Sequence, residues 1–148
     1  LRGIPHILSP ELLKILCEMG HSDRIVIADG NFPAESMGRD AHVIHMEGHG
    51  VPEILDAVMR FLPLDSYTEK PVGLMAVVPG DPVKPTIWED YRCILDKHEP
   101  KRPEIEYMER FAFYERAKKA YAVIATGETA IYANILLKKG VVLPEDMA

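Results

Sequence analysis

Two polar residues lie on either side of a short apolar run near the start of the chain. His21 precedes and Asp29 follows the segment Ile25–Ala28, which is too short for a helix and rich in β-branched residues, so it predicts a buried strand. Open α/β sheets commonly bind ligands at the carboxyl ends of their strands, where Asp29 would lie. Because histidine both accepts and donates protons near neutral pH, His21 is a candidate general acid or base. A histidine after a helix-ending glycine is also typical of a helix C-terminal cap.

Two later segments carry side chains that suit a polyhydroxylated ligand. Residues Arg110–Arg116 read Arg-Phe-Ala-Phe-Tyr-Glu-Arg, which combines aromatic faces for C–H surface with a cation and hydrogen-bond donors. The alternative is a helix that packs its Phe and Tyr side chains into a core. If residues 131–137 form a strand, Tyr132 and Asn134 point to the same face. They would then line a pocket or lie on the surface.

No cofactor or metal site is predicted. His42, His45 and His49 are close in sequence, but on a strand the first two point to opposite faces, and no Cys or second cluster completes four ligands. The sequence contains no dinucleotide-binding glycine fingerprint, no phosphate-binding P-loop and no serine-hydrolase elbow. Any chemistry would therefore run on side chains alone.

The elements that would hold these residues alternate between helices and strands. Helical spacing begins at Pro10 with Ser9 as N-cap, at Val51, at residue 87 after a capping box of Thr86 and Glu89, and at residue 111. Strands are predicted at residues 25–28, 42–46, 72–78, 105–107, 121–125 and 131–137, and residues 144–148 as a loosely held tail. This alternation in 148 residues predicts one α/β domain, residues 1–148, whose sheet is covered on both faces.

Composition argues against several classes of partner. The net charge is −6 without a basic cluster, which disfavours nucleic acid. Apolar runs fall far short of the roughly 20 residues that a membrane span needs, and no secretory signal is recognised. Two cysteines, Cys17 and Cys93, favour a reducing compartment and hence the cytoplasm, with one disulfide left open.

Seven segments occur in an order that resembles a known family. They are Leu8–Lys14, Met19–Asp23, Ala28–Pro33, Leu64–Tyr67, Arg110–Ala117, Ala125–Glu128 and Tyr132–Gly140. Together they resemble the L-fucose mutarotase family, relatives of D-ribose pyranase, over nearly the whole chain. Because ribose pyranases lack the Arg-Phe-x-Phe-Tyr-Glu-Arg form, the sequence is more similar to the fucose branch.

The resemblance implies a fold, a reaction and a set of site residues. The fold would be three-layer α/β/α with a mixed central sheet, and the reaction a cofactor-independent interconversion of α and β anomers by ring opening and closure. His21 would transfer protons, with Tyr114 or Asp65 assisting at the second oxygen, and Asp65 and Tyr114 would also contact the sugar. The remaining sugar-binding residues would be Asp29, Arg110, Tyr132 and Asn134. Family members assemble as homo-oligomeric rings, commonly decamers, with sites near subunit contacts. The imidazole should therefore lie within about a water's reach of the pocket residues, counting adjacent protomers.

Two departures from the family pattern and three alternatives remain. Ala133 stands where fucose enzymes usually have Gly, which would narrow the pocket by a methyl group, and His45 stands at a position that is usually Arg. The alternatives are a ribose pyranase or broader aldose mutarotase, a non-catalytic sugar-binding accessory protein, and a structural α/β subunit.

Overall fold

The computed structural model describes residues 1–147, and its centre is a six-stranded sheet. The strands are β1 (Arg24–Ala28), β2 (His42–Met46), β3 (Val72–Met75), β4 (Ile105–Met108), β5 (Ala122–Thr126) and β6 (Ile135–Lys138). The helices are α1 (Pro10–Glu18), α2 (Ala34–Met37), α3 (Val51–Met59), α4 (Ile87–His98) and α5 (Arg110–Ala117), followed by a 3₁₀ turn, Pro144–Met147.

The sheet is mixed, with the strand order β2-β5-β1-β6-β3-β4. Strand β6 runs antiparallel to its neighbours β1 and β3, whereas the β1–β5, β2–β5 and β3–β4 pairs are parallel. Five carboxyl ends and the amino end of β6 therefore meet at one edge of the sheet. We call this edge the carboxyl edge and the opposite one the amino edge.

Alternation along β1 divides the core into two layers. Ile25 and Ile27 pack in the cluster that contains the buried faces of α1, α3 and α4, whereas Val26 and Ala28 pack with α2 and α5. Side chains of successive strand residues point to opposite faces, so each strand contributes to both clusters. The three-layer α/β/α arrangement with a mixed sheet confirms the predicted fold class.

Most elements begin near their predicted residues, but two local predictions are wrong. Ser9 Oγ accepts from the Leu12 N–H at 3.2 Å and caps α1 as predicted. Thr86 makes no capping hydrogen bond, because its backbone is already helical (φ −66°, ψ −24°) and an N-cap residue needs an extended backbone. Residues 131–134 form a turn before β6 instead of its first half, and Tyr132 has φ +57°. The predicted shared strand face of Tyr132 and Asn134 therefore does not exist.

Smaller differences concern lengths and ends. Strand β3 stops at Met75 instead of residue 78, and the break at Asp29–Pro33 leads into helix α2, which was not predicted. The predicted tail contains the 3₁₀ turn. Residue 148 of that tail lies outside the described residues. Cys17 and Cys93 are both free and exposed. Within residues 1–147, no helix combines the length and apolar character needed to cross a membrane.

Candidate active site

A pocket of about 180 Å³ opens at the carboxyl edge between β1, β3 and β6. It is smaller than the roughly 300–1,000 Å³ of sites for drug-sized ligands, which suits a small molecule such as a monosaccharide. Its lining combines carboxylate, amide, guanidinium and phenol groups with apolar side chains: Asp29, Asn31, Phe32, Met75, Val78, Arg110, Tyr114, Ile131, Tyr132 and Asn134. Strand and helix ends from four parts of the chain supply these side chains.

Asp29 lies at the floor of this pocket, directly after β1, and is only 6% exposed. Its Oδ1 accepts from the Asn31 N–H at 3.0 Å and its Oδ2 from the Ala133 N–H at 3.4 Å. Burial raises the pKa of Asp29, and the backbone hydrogen bonds oppose that rise. The carboxylate is therefore fixed in place, and it faces the pocket as a hydrogen-bond acceptor when ionised.

The turn before β6 places Tyr132 and Asn134 beside Asp29. Asn134 Oδ1 accepts from the Asp29 N–H at 2.7 Å. The amide nitrogen of Asn134, which lines the pocket, therefore points away from Asp29 N, and its two N–H groups have no acceptor within residues 1–147. The Tyr132 hydroxyl donates to Asp81 Oδ2 at 2.7 Å and accepts from the Val78 N–H at 3.2 Å. Both side chains thus reach the pocket because of tertiary contacts and not because of strand alternation.

Helix α5 supplies the remaining polar groups. Arg110 is its first residue, is exposed, and lies over the Phe111 ring at 4.7 Å. No carboxylate in the described part of the chain lies within ion-pair distance of it. Tyr114 is half-buried and packs edge-on against Phe32 at 5.7 Å between centroids. The pocket is therefore lined by an unpaired cation and an available phenol in addition to the Asp29 carboxylate.

A second polar cluster lies at the amino edge around His21. Its Nε2 is 3.0 Å from Oδ1 of Asp65, and the imidazole is 44% exposed whereas Asp65 is 2% exposed. Asp65 also accepts from the Tyr67 N–H at 3.1 Å and the Thr68 hydroxyl at 2.7 Å, and pairs with Lys138 at 3.3 Å. Burial alone would raise the pKa of Asp65, but the hydrogen bonds from these four residues outweigh it and hold the pKa well below its usual range.

The ionised Asp65 determines the tautomer of neutral His21. A carboxylate only accepts hydrogen bonds, so the hydrogen of the neutral ring lies on Nε2 and Nδ1 is left as a base. This arrangement is typical of histidines that transfer protons.

The two clusters cannot contact one small ligand within a single chain. His21 precedes β1 and Asp29 follows it, and the five residues of β1 alone span about 13 Å at about 3.3 Å per residue. No imidazole lines the pocket at the carboxyl edge. One chain therefore carries the pocket and the His21–Asp65 pair at opposite edges of its sheet.

Comparison with known proteins identifies the family. Residues 2–142 match the RbsD / FucU transport protein family. The chain belongs to this family. A fucose mutarotase from Bos taurus is 49% identical over 154 residues, which cover 99% of this chain and 97% of the bovine protein.

Two solved members of the family have the same fold. The crystal structure of FucU from Bifidobacterium longum superimposes with a TM-score of 0.93 at 57% identity and covers 96% of this chain and 100% of that chain. A fucose mutarotase from Streptococcus pneumoniae in complex with L-fucose gives a TM-score of 0.91 at 49% identity, over 97% of this chain and 100% of that chain. The resemblance inferred from the sequence motifs is confirmed.

The site residues implied by the resemblance to the L-fucose mutarotase family fall into two groups. The structure brings five of them into the pocket: Asp29, Arg110, Tyr114, Tyr132 and Asn134. His21 and Asp65 lie together at the other edge, and Asp65 is behind the imidazole with both oxygens occupied. Within one chain, Asp65 contacts His21 and does not line the pocket. Its contact with the sugar stays a prediction.

Neither departure from the usual family pattern alters the pocket. Ala133 is fully buried and its methyl group packs in the core, so it does not narrow the pocket. His45, on the edge strand β2, lies between the carboxylates of Glu35 and Glu47. In the described part of the chain, no group of three or more His, Cys, Asp or Glu side chains is arranged to hold a metal ion.

Several residues that support the site were not singled out from the sequence. The Trp88 indole N–H donates to the Tyr132 carbonyl at 2.8 Å, and the Tyr91 hydroxyl donates to the Ala133 carbonyl at 2.6 Å. Asp81 holds the Tyr132 hydroxyl. These contacts span 42 to 51 residues of sequence, and no local pattern marks them.

Proposed function

We propose that this protein is an L-fucose mutarotase that interconverts the α and β anomers by acid/base-catalysed ring opening and closure, without a cofactor. The observation that carries this proposal is the pocket in which Asp29, Arg110, Tyr132 and Asn134 converge from distant segments, in a chain 49% identical to a fucose mutarotase crystallised with L-fucose. Neutral hydroxyl groups need both donors and acceptors, and this pocket offers both.

Each pocket residue has a role that follows from its contacts. Asp29 accepts from sugar hydroxyls, the Asn134 amide donates to them, and Arg110 donates from the pocket mouth. Phe32 and Tyr114 present apolar ring surface to the C–H side of the sugar, and the Tyr114 hydroxyl assists at the second reacting oxygen. Together these contacts hold the ring for proton transfer.

The reaction needs one proton removed from the anomeric hydroxyl and one delivered to the ring oxygen. His21 Nδ1 is the base, and the resulting imidazolium, stabilised by Asp65, returns a proton to the ring oxygen as the ring opens. The same steps in reverse close the ring on the other face of the aldehyde. No electrons are transferred, so the reaction needs no redox partner.

The pocket of one copy is completed by His21 of a neighbouring copy in a homo-oligomer, which for this family is expected to be a decamer. Three features support this proposal. The pocket has no histidine of its own, the His21 imidazole is exposed on the opposite edge, and exposed aromatic residues flank both places: Tyr67 (81% exposed) beside His21 and Phe111 (61%) beside the pocket. Sedimentation should give a multiple of 16.6 kDa, and a monomer at working concentration would contradict it.

The test of the activity is saturation-transfer NMR on L-fucose at its anomeric equilibrium. The protein should transfer saturation between the α and β anomeric protons faster than buffer does, in proportion to its concentration. Binding of L-fucose without faster exchange would instead identify an accessory sugar-binding protein. D-Ribose and D-galactose, measured in parallel, distinguish a fucose mutarotase from a ribose pyranase or a broader aldose mutarotase.

We place the protein in the cytoplasm. Its two free cysteines, both exposed, suit a reducing compartment, because paired cysteines are typical of secreted domains.

A further inference from the structure

We propose that Asp81 is a positioning residue of the pocket, whose carboxylate orients the Tyr132 hydroxyl so that this oxygen meets the ligand only as a hydrogen-bond acceptor. Asp81 lies in the loop between β3 and α4 and does not line the pocket itself. The inference deepens the proposed function and depends on it for its kinetic test.

The hydrogen bonds at the Tyr132 hydroxyl leave a single position free. A phenol has one hydrogen to donate and two lone pairs to accept. The hydrogen is directed to Asp81 Oδ2 at 2.7 Å, and one lone pair accepts from the Val78 N–H at 3.2 Å. One lone pair remains for the ligand, so a sugar hydroxyl at this point must donate to Tyr132.

The direction of the hydrogen bond is set by the chemistry of the two partners. An ionised carboxylate only accepts and a backbone N–H only donates, so both impose the same orientation on the phenol. Asp81 Oδ1 accepts from the Val83 N–H at 3.1 Å, which holds the carboxylate in position. Across residues 1–147, no basic side chain forms an ion pair with Asp81, so Tyr132 is its side-chain partner.

The backbone of Tyr132 is held separately from its hydroxyl. Its φ of +57° lies in the left-handed region, which residues with side chains rarely adopt. Trp88 and Tyr91 of α4 donate to the carbonyls of Tyr132 and Ala133, so they fix the backbone position of Tyr132. Asp81 and Val78 fix the position of the Tyr132 hydroxyl. A substitution at Asp81 should therefore reverse the hydrogen-bond direction at this hydroxyl and leave the backbone turn intact.

The test variant is Asp81→Asn, which reverses that polarity while keeping the shape. Its Oδ1 still accepts from the Val83 N–H, so the amide nitrogen faces Tyr132 and donates to it, and the phenol must turn its hydrogen toward the ligand. We expect the KM for L-fucose to rise about tenfold, with kcat changed by less than about threefold because the contact binds and does not transfer protons. Glu89→Gln removes a charge from an exposed position in the same region and should leave both constants unchanged.

A double-mutant cycle separates positioning from a merely structural role of the loop. If Asp81 acts through the hydroxyl, Asp81→Asn added to Tyr132→Phe should change KM by less than about twofold. An equal rise in KM in both backgrounds would mean that Asp81 acts by some other route and would overturn the inference, as would an unchanged KM in Asp81→Asn alone.

A second measurement does not depend on the reaction. In ligand-free protein with ¹³Cζ-labelled tyrosine, the Tyr132 signal is identified by its loss in Tyr132→Phe. The hydrogen bond to Asp81 raises the pKa of the Tyr132 phenol, so Asp81→Asn should shift its titration to lower pH. An unshifted titration overturns the inference, whereas a shifted titration in a protein that does not accelerate L-fucose exchange would refute the proposed function and leave the orientation of Tyr132 supported.

Discussion

The two edges of the sheet carry polar clusters that differ in what they leave available. At the amino edge, four donors surround Asp65, which leaves the His21 imidazole exposed and its Nδ1 available as a base. At the carboxyl edge, Arg110, Tyr114 and the Asn134 amide keep donors free, and Asp29 faces them as an acceptor. The difference teaches that one chain carries two distinct polar clusters, the His21–Asp65 pair and the pocket, at opposite edges of its sheet. Under the proposed function, each complete site would combine the pocket of one chain with the pair of another.

The largest effect is expected at the amino edge. His21→Ala should lower L-fucose exchange by a factor of about 10²–10⁴, because it removes the proton-transfer group, while the thermal unfolding midpoint stays near that of the wild type. His6→Ala, which removes another exposed imidazole, is the matched control and should exchange normally. Unchanged exchange in His21→Ala would remove His21 from the mechanism.

Mixing two impaired variants tests whether His21 of one chain meets the pocket of another. Arg110→Ala should weaken exchange about 10- to 100-fold through loss of charged hydrogen bonds, and it should fold, since Arg110 is exposed and unpaired within residues 1–147. Co-expression with His21→Ala should restore about one quarter of wild-type exchange, because that share of interfaces joins an intact His21 to an intact pocket.

One outcome of this co-expression would contradict a site shared between chains. A site contained within one chain would recover nothing, because every chain in the mixture carries one defect. Each variant expressed alone is the control for residual exchange.

The clusters should also respond to pH in opposite directions. The pKa of Asp65 is lowered in the folded protein, so its stabilisation is present above its ordinary value of 3.8 and is lost as the pH falls below it. The pKa of Asp29 is raised, so its contribution is present below 3.8 and is lost as the pH rises through the folded pKa. Urea unfolding at several pH values should show that Asp65→Asn loses about 1–3 kcal/mol at neutral pH and less on acidification.

Asp29→Asn is the matched comparison for the carboxyl edge. It should remove the decline in stability that accompanies ionisation of Asp29 and leave the acid-side loss due to Asp65 unchanged. Parallel pH curves for both variants would contradict the assignment.

The smallest effect is expected for Trp88, which holds the backbone of the turn that carries Tyr132. Trp88→Phe keeps an aromatic ring next to Tyr107 but removes the N–H that holds the Tyr132 carbonyl, at a cost of about 1 kcal/mol in unfolding free energy. L-Fucose affinity should fall less than in Arg110→Ala. Tyr107→Phe, which preserves the ring contact and has no role at the turn, should match the wild type.

Local sequence patterns predicted those helices and strands whose apolar residues pack into the core. Strand β1 and helix α1 follow from an apolar run and from a capped helical spacing, and both occur as predicted. The segment Ile131–Asn134 was predicted as strand because it continues into an apolar run. Trp88 and Tyr91 donate to carbonyls of this segment, and Asp29 accepts from the Ala133 N–H, so the segment forms a turn instead. Sequence periodicity contains no information about such distant partners.

The amino-acid sequence by itself determined to which family the motifs point and most of the segments that become helices and strands, and it indicated the candidate site residues. The tertiary structure decided where those side chains meet. The antiparallel entry of β6 between β1 and β3 brings Lys138 to Asp65 at one edge, and Ala133 and Asn134 to Asp29 at the other. Strand direction and register depend on the packing of the whole sheet, so no single segment encodes them.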